Sequence, residues 1–209
     1  IRLLNEIARY QRGFFSTLQA EDNGVPRHIL SRLEKNENII RYLQGIYRIG
    51  GSPTFREDDV FAQWLALCPN VKPGASVKDN QLPIVFGTTA AWLQELGELE
   101  PCPYEFCLNR RKQSKRKNLK LHRRNIDESD ITIVAGLPCL CAQEIVIELL
   151  KVGEDLSLIA NVLRDCYTKG LIKDEAKLKN KVNAYNIKRK YGFLGSLFDY
   201  LCKEGSYNV

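Results

Sequence analysis

The sequence predicts an α+β fold in two parts: helices and a β-hairpin over residues 1–51, then a mixed α/β domain over residues 54–209 that ends in a helical region. Three observations lead there. Apolar residues recur at helical spacing from Leu3 to Leu33 and then give way to two β-rich runs around Gly45. Gly50-Gly51-Ser52-Pro53 is a linker by composition. From Ala142 onward the spacing is helical again, as far as Cys202.

Leu3, Leu4, Ile7 and Ala8 make residues 2–10 a first amphipathic helix, and Gly13 stops it. Ser16 is the N-cap of a short second helix, Thr17–Glu21, which Asn23-Gly24 ends. Pro26, a favoured first helical residue, opens a third helix to Asn36 with Ile29, Leu30 and Leu33 on its inner side. Ile39–Leu43 and Ile46–Ile49 form two strands around Gly45. Helix, helix, turn, helix and hairpin is the order of a winged helix-turn-helix, a domain that should end near residue 51.

The second part opens with a helix, Glu57–Leu67, whose buried stripe is Val60, Phe61, Trp64, Leu65 and Leu67. Residues 69–81 read as a loop, Leu82–Phe86 as a short strand, and Thr88 as the cap of a helix to Leu96. Tyr104–Asn109 and Leu119–Arg123 read as a hairpin joined by the basic run 110–117. Ile131–Ala135 is a further strand closed by a turn at Gly136-Leu137-Pro138. Helices follow over Ala142–Lys151, Asp155–Lys169, Asp174–Lys190 and Phe193–Cys202.

At 209 residues, 44% hydrophobic and 27% charged, the chain has the composition of a cored globular protein. No apolar run approaches the roughly 18 residues of a membrane-spanning helix, so no membrane partner is expected. The formal charge of +6 is unevenly spread: residues 101–125 carry nine basic residues and one acid, while residues 51–100 and 126–170 are acidic. Two basic regions set among acidic ones are what a nucleic-acid binder with two contact surfaces shows. Seven cysteines is an odd number, and no basic stretch followed by an apolar core opens the chain, which together predict a reduced, cytoplasmic setting. Cys102 with Cys107 and Cys139 with Cys141 match no zinc-knuckle spacing, so the thiols are read as buried apolar groups and no metal is expected.

A helix-turn-helix lays its second helix in the major groove. With Ile29, Leu30 and Leu33 turned inward, the outward residues of that helix are Arg27, His28, Ser31, Arg32 and Lys35. Arginine forks onto guanine, serine bonds either base edge, and lysine anchors phosphate. Arg41, Gln44 and Arg48 would form the wing that lies along the adjacent backbone or minor groove. The run Arg110, Arg111, Lys112, Lys115, Arg116 and Lys117, with Arg123 and Arg124 beyond it, is a candidate second surface for nucleic acid or a partner. It lacks the interleaved aromatics of a single-strand stacking platform.

Enzyme motifs are absent. There is no Gly-x-Ser-x-Gly elbow, no phosphate-binding Gly-x(4)-Gly-Lys-Ser/Thr loop and no His-Glu-x-x-His. Glu175-Ala176-Lys177 has a nuclease-like spelling but falls in a helix of ordinary surface character, and His122 is an imidazole with no nucleophile in view. The chain therefore reads as a non-enzyme with no catalytic residues and no cofactor.

Gly13-Phe14-Phe15-Ser16, Gln19-Ala20, Gly24-Val25-Pro26, Leu30-Ser31-Arg32-Leu33 and the stretch from Arg41 through Gly45-Ile46-Tyr47-Arg48 resemble the N-terminal winged helix of the AbiEi family of antitoxins. The resemblance extends more loosely to about residue 170. It passes through Thr88-Thr89-Ala90-Ala91-Trp92-Leu93, then Leu121-His122-Arg123-Arg124, and Gly136-Leu137-Pro138 before Glu148-Leu149-Leu150. Two departures stand out: Gln44 replaces the basic residue usual before the wing glycine, and the 69–81 loop is longer than typical.

The resemblance implies a two-gene abortive-infection system in which this chain is the antitoxin beside a nucleotidyltransferase-type toxin. The N-terminal domain would bind inverted repeats in its own promoter and repress transcription, with the helix and wing residues above as its contacts. The C-terminal domain, residues 54–209, would counter the toxin without a stable complex. The competing expectations are a nuclease with its active site in residues 54–209, and a stand-alone transcriptional regulator with a ligand- or partner-sensing C-terminal domain.

Overall fold

A computed structural model of the chain describes residues 1–71, 82–189 and 195–206, which form an α+β protein divided into two compact units, Ile1–Pro83 and Ile84–Val209. In the first unit, α1 (Arg2–Ala8) buries Leu4, Ile7 and Ala8 while Leu3 stays half exposed. The chain then forms a strand that the sequence did not predict, β1 (Phe14–Ser16), between the Gly13 turn at φ +82 and the cap of α2 (Thr17–Asp22). That cap is reciprocal. The Gln19 backbone N–H donates to Ser16 Oγ at 3.0 Å and the Ser16 N–H donates to Gln19 Oε1 at 2.9 Å, satisfying two donors that a helix start leaves open.

Helix α3 (Arg27–Lys35) follows Pro26, and β2 (Ile39–Leu43) and β3 (Ile46–Ile49) form the predicted hairpin. The sheet order is β1-β3-β2, antiparallel throughout, with Phe15 opposite Tyr47 and Phe14 opposite Arg48. Because side chains alternate along a strand, Phe15 and Phe14 face opposite ways. Phe15 and Tyr47 join Leu4, Ile7, Ala20, Leu30 and Ile39 in the helical core. On the other side Phe14 meets Tyr42 edge-on at 5.0 Å and Phe61 at 5.8 Å.

Phe61 belongs to α4 (Asp58–Leu67), whose predicted stripe is buried in full. The helix packs on all three strands and so falls within the first unit, and the division at Pro83 lies well beyond the domain boundary expected near residue 51. Of the loop expected over 69–81, residues 72–81 lie outside the described residues.

The second unit carries a five-stranded mixed sheet of order β6-β5-β4-β8-β7. Its strands are β4 (Ile84–Val85), β5 (Tyr104–Leu108), β6 (Leu119–Arg123), β7 (Ile131–Val134) and β8 (Leu137–Leu140). Two expectations are corrected here. β5 and β6 run parallel, Tyr104 beside Leu119 and Leu108 beside Arg123, so the basic run is a crossover and not a hairpin turn. The run has no Gly or Asn-Gly to set a reverse turn. The expected turn at Gly136-Leu137-Pro138 contributes only its glycine, and Leu137 begins β8, which pairs with β7 on one side and β4 on the other.

Helix α5 (Gly87–Leu93) packs beside β5 and stops short of the predicted Leu96, where Glu95 turns to φ +56. The helical region follows as α6 (Ala142–Val152), α7 (Leu156–Thr168), α8 (Glu175–Arg189) and α9 (Leu197–Ser206). Asp155 caps α7, accepting from the Ser157 N–H at 2.8 Å. The predicted ends at Lys190 and Phe193 lie outside the described residues.

Candidate nucleic-acid interface

Leu30 is buried and Ile29 and Leu33 are half-buried against the core, which turns Arg27, His28, Ser31, Arg32 and Lys35 to the surface, as the sequence predicts. Arg27, Ser31, Arg41 and Gln44 come together with Thr17, Leu18 and Gly45 around a groove of about 430 Å³. His28, Arg32 and Lys35 stand exposed outside its lining. The wing is held to the start of α2 at this groove: the Thr17 N–H donates to the Gly45 carbonyl at 2.9 Å, and Gly45 adopts φ +76 to present it. Thr17 and Leu18 are groove residues that sequence reasoning did not single out. The Ser16 cap was their signal, since capping fixes where the following two side chains emerge.

Arg48 is a correction. Its side chain is buried, with Nη2 3.1 Å from Asp58 Oδ2, a further hydrogen bond to the Pro53 carbonyl, and its guanidinium 5.2 Å over the Phe14 ring. Strand β3 is the middle strand of its sheet and α4 covers the face on which Arg48 emerges, so this cation belongs to the interior and not to the wing surface.

The electrostatics of the groove and of the α3 surface beside it are uneven. Arg27 donates from Nε to Glu21 Oε1 at 2.8 Å, whereas Arg32, Lys35 and Arg41 make no ion pair among the described residues.

In the second unit Arg110, Arg111, Lys115, Lys117 and Arg123 are exposed and make no ion pair among the described residues. Lys112 and Arg116 are half-buried, and Arg124 pairs with the buried Glu148, which also holds Lys151. Beside this surface lies a buried carboxylate that the sequence did not flag. Glu105 Oε2 is 2.6 Å from His122 Nε2 and 3.0 Å from Lys120 Nζ, and its Oε1 accepts from Thr88 Oγ1 at 3.2 Å. Burial alone would raise the Glu105 pKa, but the His122 and Lys120 hydrogen bonds and charges outweigh it and hold the carboxyl at about 2. His122 thus has a partner, a carboxylate neutralised within the fold.

Among the described residues no group of three or more His, Cys, Asp or Glu side chains could hold a metal ion. Cys68, Cys107, Cys139, Cys141 and Cys166 are buried, whereas Cys102 is exposed and Cys202 half-buried, so the expectation of buried thiols fails at Cys102; burial pushes the Cys139 and Cys166 thiols up to about 12. No helix among the described residues is long and apolar enough to cross a membrane.

No family model matches the chain, and no curated protein does. Among solved structures it is similar to the crystal structure of RV2827C protein from Mycobacterium tuberculosis, with a TM-score of 0.55 and 13% identity over 98% of this chain and 76% of that one. At that identity the likeness is one of fold, and it extends over both units.

Proposed function

We propose that this chain is a duplex-DNA-binding repressor and the antitoxin of a two-gene abortive-infection system, working in the cytoplasm against a nucleotidyltransferase-type toxin. The observation that carries the DNA-binding half is the groove in which Arg27 and Ser31 of α3 face Arg41 and Gln44 of the wing. A helix of this length fits the major groove, about 12 Å wide, with its outward side chains at base edges and the wing against the neighbouring backbone. Arg32 and Lys35, exposed and unpaired among the described residues, supply phosphate contacts on the same helix.

The antitoxin half is supported by the resemblance to the AbiEi antitoxins, which continues into the second unit. The exposed cations of the 110–117 crossover offer that unit a second polyanion contact.

Two measurements test the two halves. A promoter–reporter fusion carrying the DNA upstream of the gene should be repressed by the full chain and released by Arg32→Glu/Lys35→Glu. Co-expression with the product of the adjacent gene should restore growth if that product is toxic. Repression without rescue would leave a stand-alone regulator, and rescue without repression would confine the function to the second unit.

A further inference from the structure

Arg27 is the first residue of α3 and lines the groove, yet its fork is already engaged: Nε lies 2.8 Å and Nη2 3.5 Å from the two carboxylate oxygens of Glu21. The side chain is nevertheless 72% exposed, so this clasp is made in solvent and not in the core. Of the cations that α3 and the wing present, Arg32, Lys35 and Arg41 have no such partner among the described residues. Glu21 itself sits in the last turn of α2, beside Asp22 and with no basic residue there. Acids at a helix C-terminus oppose the helix dipole, so this placement breaks a local rule without any gain for α2.

We infer that Glu21 is a positioning residue that makes Arg27 a base reader and not a phosphate clamp, an inference that rests on the duplex-DNA reading of this groove. Glu21 occupies the Nε and Nη2 edge and leaves the Nη1 and Nη2 edge, a second two-pronged face with which arginine meets either a phosphate or the O6 and N7 of guanine. A phosphate arriving at Arg27 brings a second negative charge beside the Glu21 carboxylate and is penalised. A guanine edge offers two acceptors with no net charge and is not. Glu21 thereby lowers the affinity of this position for duplex DNA of arbitrary sequence while sparing the sequence that places guanine under Arg27. The ligand class that follows is a duplex with a guanine at one fixed position of the recognised site.

The test uses the full chain and a pool of randomised 20-base-pair duplexes, from which wild-type protein selects its site. The selected duplex and a scrambled duplex of the same composition then serve as probes over a range of salt. Four proteins are compared: wild type, Glu21→Gln, Arg27→Ala and the double variant, each first checked for an unchanged melting temperature. Glu21→Gln should bind the scrambled duplex about threefold more tightly, the scale of one exposed ion pair, and its salt slope should steepen by roughly 0.9 as Arg27 takes up a phosphate. Arg27→Ala should lose the preference at a single guanine. In the Arg27→Ala background, Glu21→Gln should change nothing.

A Glu21→Gln protein whose selectivity and salt slope match wild type overturns the inference. So does a gain that persists without Arg27, because that is bulk charge and not positioning. Absence of any duplex binding by wild type overturns the DNA reading, and the inference with it; wild-type binding with an inert Glu21 overturns the inference alone.

Discussion

Arg48 Nη2 lies 3.1 Å from Asp58 Oδ2, and through this buried pair the middle strand of the first sheet is tied to the start of α4. Two neighbouring links run in parallel. Arg12 reaches Glu57 at 2.9 Å, and the Tyr42 hydroxyl donates to Asp59 at 2.6 Å, so three successive acids hold three separate parts of the winged helix. The Arg48 side chain is 9% exposed and that of Asp58 3%, which makes each charge depend on the other.

Removing one partner of that pair leaves a buried charge uncompensated. Asp58→Ala and Arg48→Ala should each destabilise the protein by about 3–5 kcal/mol, and the double change Arg48→Met/Asp58→Leu by less than either single one. Urea denaturation of the four proteins checks this, and additive losses in the double variant would contradict it.

Glu105 gives a pH signature. Its folded-state pKa, about 2, lies below the ordinary carboxyl value of 4.5, so its contribution is complete above the unfolded value and is lost as pH falls through the folded one. The difference corresponds to a contribution on the order of 3 kcal/mol. Glu105→Gln should therefore be destabilised near neutral pH and should flatten the stability curve between about pH 4.5 and 2, which thermal melts across that range would resolve.

Gly87 adjoins the same carboxylate. A Cβ there would stand 2.7 Å from the Glu105 carboxyl carbon and from Oε1, and the backbone is at φ +55. The carboxyl is pinned by His122, Lys120 and Thr88, so it has no room to yield. Gly87→Ala should cost about 1–3 kcal/mol in a chemical denaturation experiment. In a Glu105→Ala background the cost should shrink to the backbone part alone.

Arg110→Glu/Arg111→Glu should leave the melting temperature unchanged, since both side chains are exposed and make no ion pair among the described residues. If the crossover touches phosphates, the log–log salt slope of duplex binding becomes shallower by roughly 0.9 for each phosphate no longer neutralised. An unaltered slope would make the crossover a solvated loop.

Local signals made the first unit legible. The Ser16 cap, Pro26, the Gly45 turn and the Ile29-Leu30-Leu33 stripe each specify structure within a few residues, and α2, α3, β2 and β3 lie where they predict. Strand β1 escaped because three residues carry no period and its strand character depends on β3, thirty residues away on the chain. The burial of Arg48 and the inclusion of α4 in the first unit go together. Alternation correctly sets Arg48 on the face opposite Tyr47, but that face counts as solvent only if α4 is assigned elsewhere. In the second unit β5 and β6 are legible as strands but their parallel pairing is not, because parallel register is set by non-local packing. In the site, the basic and polar groove residues are legible by type, whereas nothing local in the sequence distinguishes Glu21 from any surface acid, because its pairing with Arg27 depends on the folded chain.

Whether α3 and the wing form one duplex-DNA surface is decided by fluorescence anisotropy with a labelled duplex from the region upstream of the gene, against a scrambled competitor and over a series of salt concentrations. Wild type should bind the upstream duplex selectively with a steep negative salt slope. Arg32→Glu/Lys35→Glu should bind more weakly while melting normally, its slope shallower by roughly 0.9 for each phosphate that the two cations neutralise in the wild type. Equal affinity of the two proteins for both duplexes at every salt concentration would contradict a DNA-binding role for this surface.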